Sequence, residues 1–311
     1  MSAGSKQSRL LATIGNRNKR FIVIGIPYFW LLLFFFIPFI VVFKISISES
    51  TIAQPPFTPL FSRLGDNLYQ IKINLSNYVY VLTDSYYVMA FLNSIKLAFI
   101  STILCLLVAY PIAFTIARSR QPWQNVLLMM IMLPFWTSFL LRVYAWIGLL
   151  QSDGLITNTL NQALLAIGAI DSSLTILQTN TAIYLGIVYS YLPFMVLPLY
   201  TTLEKLDDSL FEASADLGAR PVRTFLSVIL PLTKSGIVAG CLLVFIPAVG
   251  EFVIPYLLGG ADSFMIGRVL WDEFFKNNDW PMASTLAVIM LAILLIPMLI
   301  FRKSENKEML V

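Results

Sequence analysis

Six long runs with almost no charge constrain this chain more than any other feature. They lie at about residues 21–43, 97–117, 126–150, 181–203, 236–258 and 282–301. At 1.5 Å rise per residue, roughly 20 to 25 helical residues cross a hydrocarbon core of ~30 Å. Soluble domains devote about 25% of their residues to charge; this chain has 12%, with 58% hydrophobic. The apolar residues are continuous rather than alternating, which argues against an outer-membrane barrel. A monotopic protein would not need six spans. The reading is an all-α polytopic membrane protein, with six transmembrane helices inside 21–303 and short tails at 1–20 and 304–311. The first run, Phe21 to Phe43, is too long for a signal-peptide core, and Phe43-Lys44 is no cleavage site. It is expected to remain as the first helix.

Basic residues set the orientation. The tails and the 118–125 and 204–235 connections hold 14 Lys/Arg, against five in the opposite loops. The positive-inside rule places both termini in the cytoplasm and the 44–88 loop outside. That loop reads as a polar connection in which Pro55, Pro56 and Pro59 oppose regular structure near its start. The stretch 74–94 either lies along the membrane surface or docks a partner. Cys105 and Cys241 sit inside apolar runs without metal or redox spacing and read as small buried side chains. The chain has no histidine, which removes the commonest general base and metal ligand and argues against an enzyme. No Gly-x-x-x-x-Gly-Lys-Ser/Thr loop is present, so any ATP must be bound elsewhere. No cofactor, no metal and no nucleic-acid partner is expected. The partner is the lipid bilayer.

The 204–235 connection is too patterned to be a mere turn. Leu206, Leu210, Ala213 and Leu217 share one helical face. Gly218 suits a left-handed helix stop, and Pro221 suits the first position of a second helix that ends near Pro231. The pattern predicts two short helices around a glycine turn, with the apolar face packed under the bundle and charges turned to a partner.

Glu212-Ala213-Ser214, Gly218 and Val228-Ile229-Leu230-Pro231 resemble the Glu-Ala-Ala loop of binding-protein-dependent ABC importer permeases. Ser214 stands for the second Ala and Val228 for Ile. The stretches 133–138, 142–146, 192–195, 247–260 and 278–281 resemble polyamine permeases, the putrescine type in particular, and the similarity runs from Pro27 onward. The resemblance implies the type I ABC importer permease fold, set in a bacterial inner membrane. It makes Glu212, Ala213, Ser214, Gly218, Leu230 and Pro231 the coupling site for ATP-binding ABC subunits. A second similar permease and a periplasmic polyamine-binding protein are the other implied partners.

Three charges fall within or beside apolar runs: Lys96, Arg142 and Glu251. A charge at the bilayer centre costs at least ~2.5–3.5 kcal/mol, so each should face protein or water. Lys96, at the outer edge of the second run, is expected to snorkel. Glu251 is expected mid-helix between Pro247 and Pro255, beside carbonyls freed by the prolines. It either contacts one end of a diammonium solute or pairs with Arg142 or a partner subunit. Trp136, Tyr144 and Trp146 offer faces to a cation and equally suit lipid or packing; Trp136 and Tyr144 do not share a helix face. An importer for an oxyanion, iron or thiamine stays open as an alternative. An ion-coupled secondary transporter fits less well, because no internal repeat is visible.

Overall fold

A computed structural model describes residues 23–63, 69–170, 172–260 and 263–308. The basic tail at 1–20 lies outside the described residues, as do 309–311. Among the described residues four helices are long and apolar enough to cross a membrane, and two bent helix pairs raise the number to six if each pair is one span. Among the described residues the protein is helical but for one small hairpin and one isolated bridge, Ser50 to Phe57, and it is a multi-pass membrane protein.

Two compact units divide the chain. One holds the residues up to Tyr78 together with Asn278–Val288. Its first helix, α1 (Val23–Ser46), is exposed along its apolar length. A π-helical turn at Leu32–Phe36 contains Phe34, the residue four before Pro38. The wider turn absorbs the amide that proline lacks. Beyond α1, β1 (Phe61–Arg63) and β2 (Tyr69–Ile71) pair antiparallel, so the prolines of this loop do not exclude strands further along it. Ser46 joins three segments: its hydroxyl lies 2.7 Å from that of Tyr78, and its carbonyl accepts from Thr285 at 3.0 Å. The helix α2 (Ser76–Thr83) follows.

The second unit, Val79–Asn277 with Ile289 onward, is built on α3 (Ser85–Ala117). This helix begins 12 residues before the expected start at 97. Its extra turns are amphipathic, with Tyr87, Ala90, Phe91 and Ser94 buried, and an amphipathic stretch ending at a lysine falls outside an apolar run. Lys96 therefore sits well inside the helix, exposed, and not at its edge. Asp84 caps the start by accepting from the Tyr86 amide at 2.8 Å.

The third run is not one straight helix. It divides into α4 (Trp123–Met132), a 3₁₀ turn at Leu133–Trp136 and α5 (Phe139–Leu150), followed by α6 (Leu155–Ala166). The two arms bend by 91°. Pro134 and the extended Thr137 break the helix, and the Thr137 hydroxyl takes up the Pro134 carbonyl at 2.7 Å. The fourth run forms α7 (Asn180–Leu203). The 204–235 connection forms α8 (Ser209–Asp216) and α9 (Pro221–Leu232). The fifth run splits into α10 (Lys234–Val249) and α11 (Val253–Leu258). After α12 (Ile266–Trp271), the last helix α13 (Trp280–Glu308) continues beyond the expected end at 301.

The core of this unit is α3, α7 and α10 packed on one another. Gly240 lets α10 approach α7: a Cβ there would lie 2.8 Å from the Met195 sulfur and 3.2 Å from its carbonyl oxygen. With Gly236 it makes a small-xxx-small contact, the device that brings helices together in membranes. Overpacking costs typically ~1–3 kcal/mol. Gly240→Val is expected to lower the thermal midpoint of the detergent-solubilised protein and its recovered yield. An unchanged midpoint would show that this contact has slack.

Candidate functional site

The 204–235 connection is a helix, a glycine turn and a helix. Asp207 begins it, its carboxylate accepting from the Ser209 amide at 2.9 Å. Hydrogen bonds from Ser209 hold that carboxyl below its ordinary range. Because the folded value is depressed, this turn ahead of α8 is present at neutral pH and is lost only in acid, as pH falls through the folded value. Glu212 stands in the first turn of α8, where a negative charge suits the helix dipole. At the other end the Ala219 amide reaches the Ser214 carbonyl at 3.1 Å, and the Gly218 amide reaches that of Ala215 at 2.8 Å. These are the two bonds of a Schellman stop, with Gly218 at φ +73°. Pro221 then opens α9. The buried hydroxyls of Ser214 and Thr224 lie 2.7 Å apart and tie α8 to α9. Ser214, a departure from the Glu-Ala-Ala pattern, thus has a structural task.

The faces of these helices reverse one expectation. Ser214, Thr224 and Ile229 are buried, with Phe211, Phe225 and Leu230 packed beside them. Leu210, Ala213 and Leu217 instead face out, Leu217 at 88% exposure, with Val222 at 70% and Leu226 at 55%. The aromatic rings and small hydroxyls fit under the bundle, leaving the leucine face uncovered. Leu217 also sits at the cap of α8, where the chain turns away from the protein. Pro231 ends the segment at a 70° bend between α9 and α10. There the Thr233 hydroxyl, itself buried, meets that of Tyr110 at 2.9 Å.

Arg118 caps the far end of α3 and reaches this connection. Its Nη1 pairs with the Asp208 carboxylate, its Nη2 lies 3.5 Å from the Leu206 carbonyl, and its guanidinium lies 4.2 Å from the Phe211 ring centroid. Charge counting assigned Arg118 only to topology. The spacing of Tyr110, Phe114 and Arg118 at i, i+4 and i+8 was the available signal, since it puts three large side chains on one face.

Glu251 is not mid-helix. It lies in the break between α10 and α11, 8% exposed. The prolines were expected to leave free carbonyls beside it; the break instead presents amides. One carboxylate oxygen accepts from the amides of Phe252 at 3.2 Å, Val253 at 3.0 Å and Ile254 at 3.5 Å, so Glu251 caps α11. The other accepts from the Tyr191 hydroxyl of α7. Arg142 stacks over Phe135 at 5.1 Å and Phe139 at 5.8 Å and is not the partner seen for Glu251. Trp146 meets Tyr189 edge-on at 5.4 Å, while Trp136 and Tyr144 are exposed, Trp136 at 79%. An aromatic run along Tyr256, Phe252, Trp271 and Phe275 was not anticipated: adjacent centroids lie 5.4, 4.5 and 4.1 Å apart. Each half is an i,i+4 pair, and only the fold brings Phe252 to Trp271.

Residues 109–307 match the family described as binding-protein-dependent transport system inner membrane component. The spermidine/putrescine transport system permease protein PotB of Haemophilus influenzae is 38% identical over 275 residues, covering 88% of this chain and 90% of that protein. PotB of Escherichia coli is 36% identical over 277 residues, covering 89% and 94%. Among solved structures, a chain of a bacterial alginate ABC transporter superposes with a TM-score of 0.70 at 14% identity, over 96% of this chain and 98% of that one. A chain of the MetNI methionine ABC transporter gives 0.51 at 14% identity, over 71% and 94%; these two likenesses concern the fold alone. The chain belongs to the inner-membrane components of binding-protein-dependent transport systems, as a permease of the type I ABC importer fold.

Proposed function

We propose that this chain is the permease subunit of an ATP-driven polyamine importer in a bacterial inner membrane, with putrescine as its foremost solute. The observation that carries this reading is the similarity to spermidine/putrescine permeases along nearly nine-tenths of the chain. Both termini face the cytoplasm in this reading, supported by the bias of basic residues. A periplasmic binding protein delivers the polyamine, and a second, similar permease completes the path. ATP is bound and hydrolysed in separate subunits. The α8–α9 segment is the coupling site: Glu212, Ala213, Ser214 and Gly218 shape the first helix and its stop, and Leu230 and Pro231 end the second. The exposed Leu210, Leu217, Val222 and Leu226 suit a groove on the ATP-binding subunit. Rigid-body movement of the spanning helices then alternates access to the two sides.

The test is reconstitution of the chain in liposomes with its ATP-binding subunits, second permease and binding protein. Putrescine is expected to raise ATP hydrolysis and to accumulate inside; spermidine as competitor ranks the two polyamines. Stimulation only by an oxyanion, iron or thiamine would keep the importer and discard the polyamine. Uptake driven by an ion gradient without ATP would discard both.

A further inference from the structure

We infer that Arg118 is the positioning residue through which movement of α8 passes to the spanning helix α3. The inference rests on the coupling role proposed above and identifies the joint that role requires. Three contacts converge on one guanidinium. It pairs with Asp208 at the start of α8, lies near the Leu206 carbonyl ahead of that helix, and stacks on the Phe211 ring within it. The placement suits both helices. A cation at the C-terminal end of α3 and an anion at the N-terminal end of α8 each oppose the local helix dipole. A planar guanidinium can hold a carboxylate and cover a ring at once, which a lysine ammonium does less well.

A second contact lies two turns back along α3. Tyr110 meets Thr233 at the α9–α10 bend and Phe225 edge-on at 5.3 Å. Phe114 lies between them in sequence, 6.4 Å from Phe211. A cavity of about 400 Å³, lined by Phe114, Phe211, Thr224, Phe225 and Ile229 among others, opens along the same contact. Helix and connection meet through the side chains of one apolar cluster, beside which this cavity opens. A push on the outward leucine face reaches α3 through those side chains, and Arg118 adds an ion pair to them. The Arg118 side chain is 24% exposed and rests on the partly buried Phe211, whereas Leu217 and Val222 stand exposed, so transmission and docking are separable.

The experiment compares wild type, Arg118→Lys and Arg118→Met in the complete complex in liposomes with putrescine-loaded binding protein. Three quantities are read: the ATP-binding subunit retained on purification, ATP hydrolysis, and ATP consumed per putrescine imported. Arg118→Met is expected to retain the ATP-binding subunit at the wild-type ratio while ATP consumed per putrescine rises about tenfold or more. Arg118→Lys, which keeps the charge but loses the planar stack, is expected to fall between. Wild-type ATP consumption per putrescine in Arg118→Met would overturn the inference. So would loss of the ATP-binding subunit from that variant, because Arg118 would then serve docking. If the wild-type chain itself retains no ATP-binding subunit, the proposed function falls and takes the inference with it. A captured subunit that stays fully coupled in Arg118→Met overturns the inference alone.

Discussion

Gly218→Asp is expected to insert normally into the membrane while putrescine uptake falls at least tenfold and ATP hydrolysis no longer responds to solute. Gly218 holds φ +73° at the stop between α8 and α9, a region that costs a residue with a Cβ about 1–2 kcal/mol. Aspartate is among the residues that tolerate it. A Cβ at this position meets nothing within 4 Å, so the chain has room for the new side chain. The damage then arises outside the chain, where a carboxylate is added beside Leu217 on the exposed turn. Gly218→Ala is the control, carrying the backbone strain without the charge, and should lose much less. Membrane abundance, uptake and solute-stimulated ATP hydrolysis measure the separation. Wild-type uptake from Gly218→Asp would count heavily against a coupling role for this turn.

At Glu251 the expected outcome depends on the replacement. Glu251→Ala is expected to yield little folded protein, because it strands the amides of 252–254 and the Tyr191 hydroxyl in a buried break. A buried polar group left without its partner costs about 1–3 kcal/mol. Glu251→Gln keeps an acceptor oxygen for the amides and is expected to fold, assemble and transport within a few-fold of wild type. Yield after size exclusion separates the first effect, and uptake in liposomes the second. If Glu251→Gln assembles normally but loses uptake with a raised half-saturation for putrescine, the carboxylate's charge serves the diammonium solute. Full uptake would leave it a helix cap that joins α11 to α7 through Tyr191.

The parts of the fold legible in the sequence were those set by continuous hydropathy and by special backbone residues. The run at 181–203 and the helix Asn180–Leu203 nearly coincide, since the helix continues through Pro193 and Pro198. The glycine turn and the proline start of α9 were readable because few residues suit those positions. Hydropathy did not report the first 12 residues of α3, whose burial is one-sided. Nor did it report the breaks at 133–138 and 250–252: the lipid solvent tolerates proline inside a span, so Pro134 reads the same whether it kinks a helix or ends it. Which face of α8 turns inward depended on Phe211 and Ser214 finding Arg118 and Thr224, contacts that no local period encodes. The capping role of Glu251 was hidden because it depends on the helix breaking at 250–252, which the prolines on either side do not mark.

The most direct measurement is co-purification of this chain from membranes in mild detergent, as wild type and as Leu217→Glu, with quantitation of the ATP-binding subunit that follows. Leu217 is exposed in the turn between the two short helices, so a charge there should leave the chain folded. Capture by the wild type is expected, with at least a tenfold loss in Leu217→Glu at equal chain recovery. No ATP-binding subunit with the wild type, or equal capture with both, would contradict the claim that the α8–α9 segment is where this permease receives its motor.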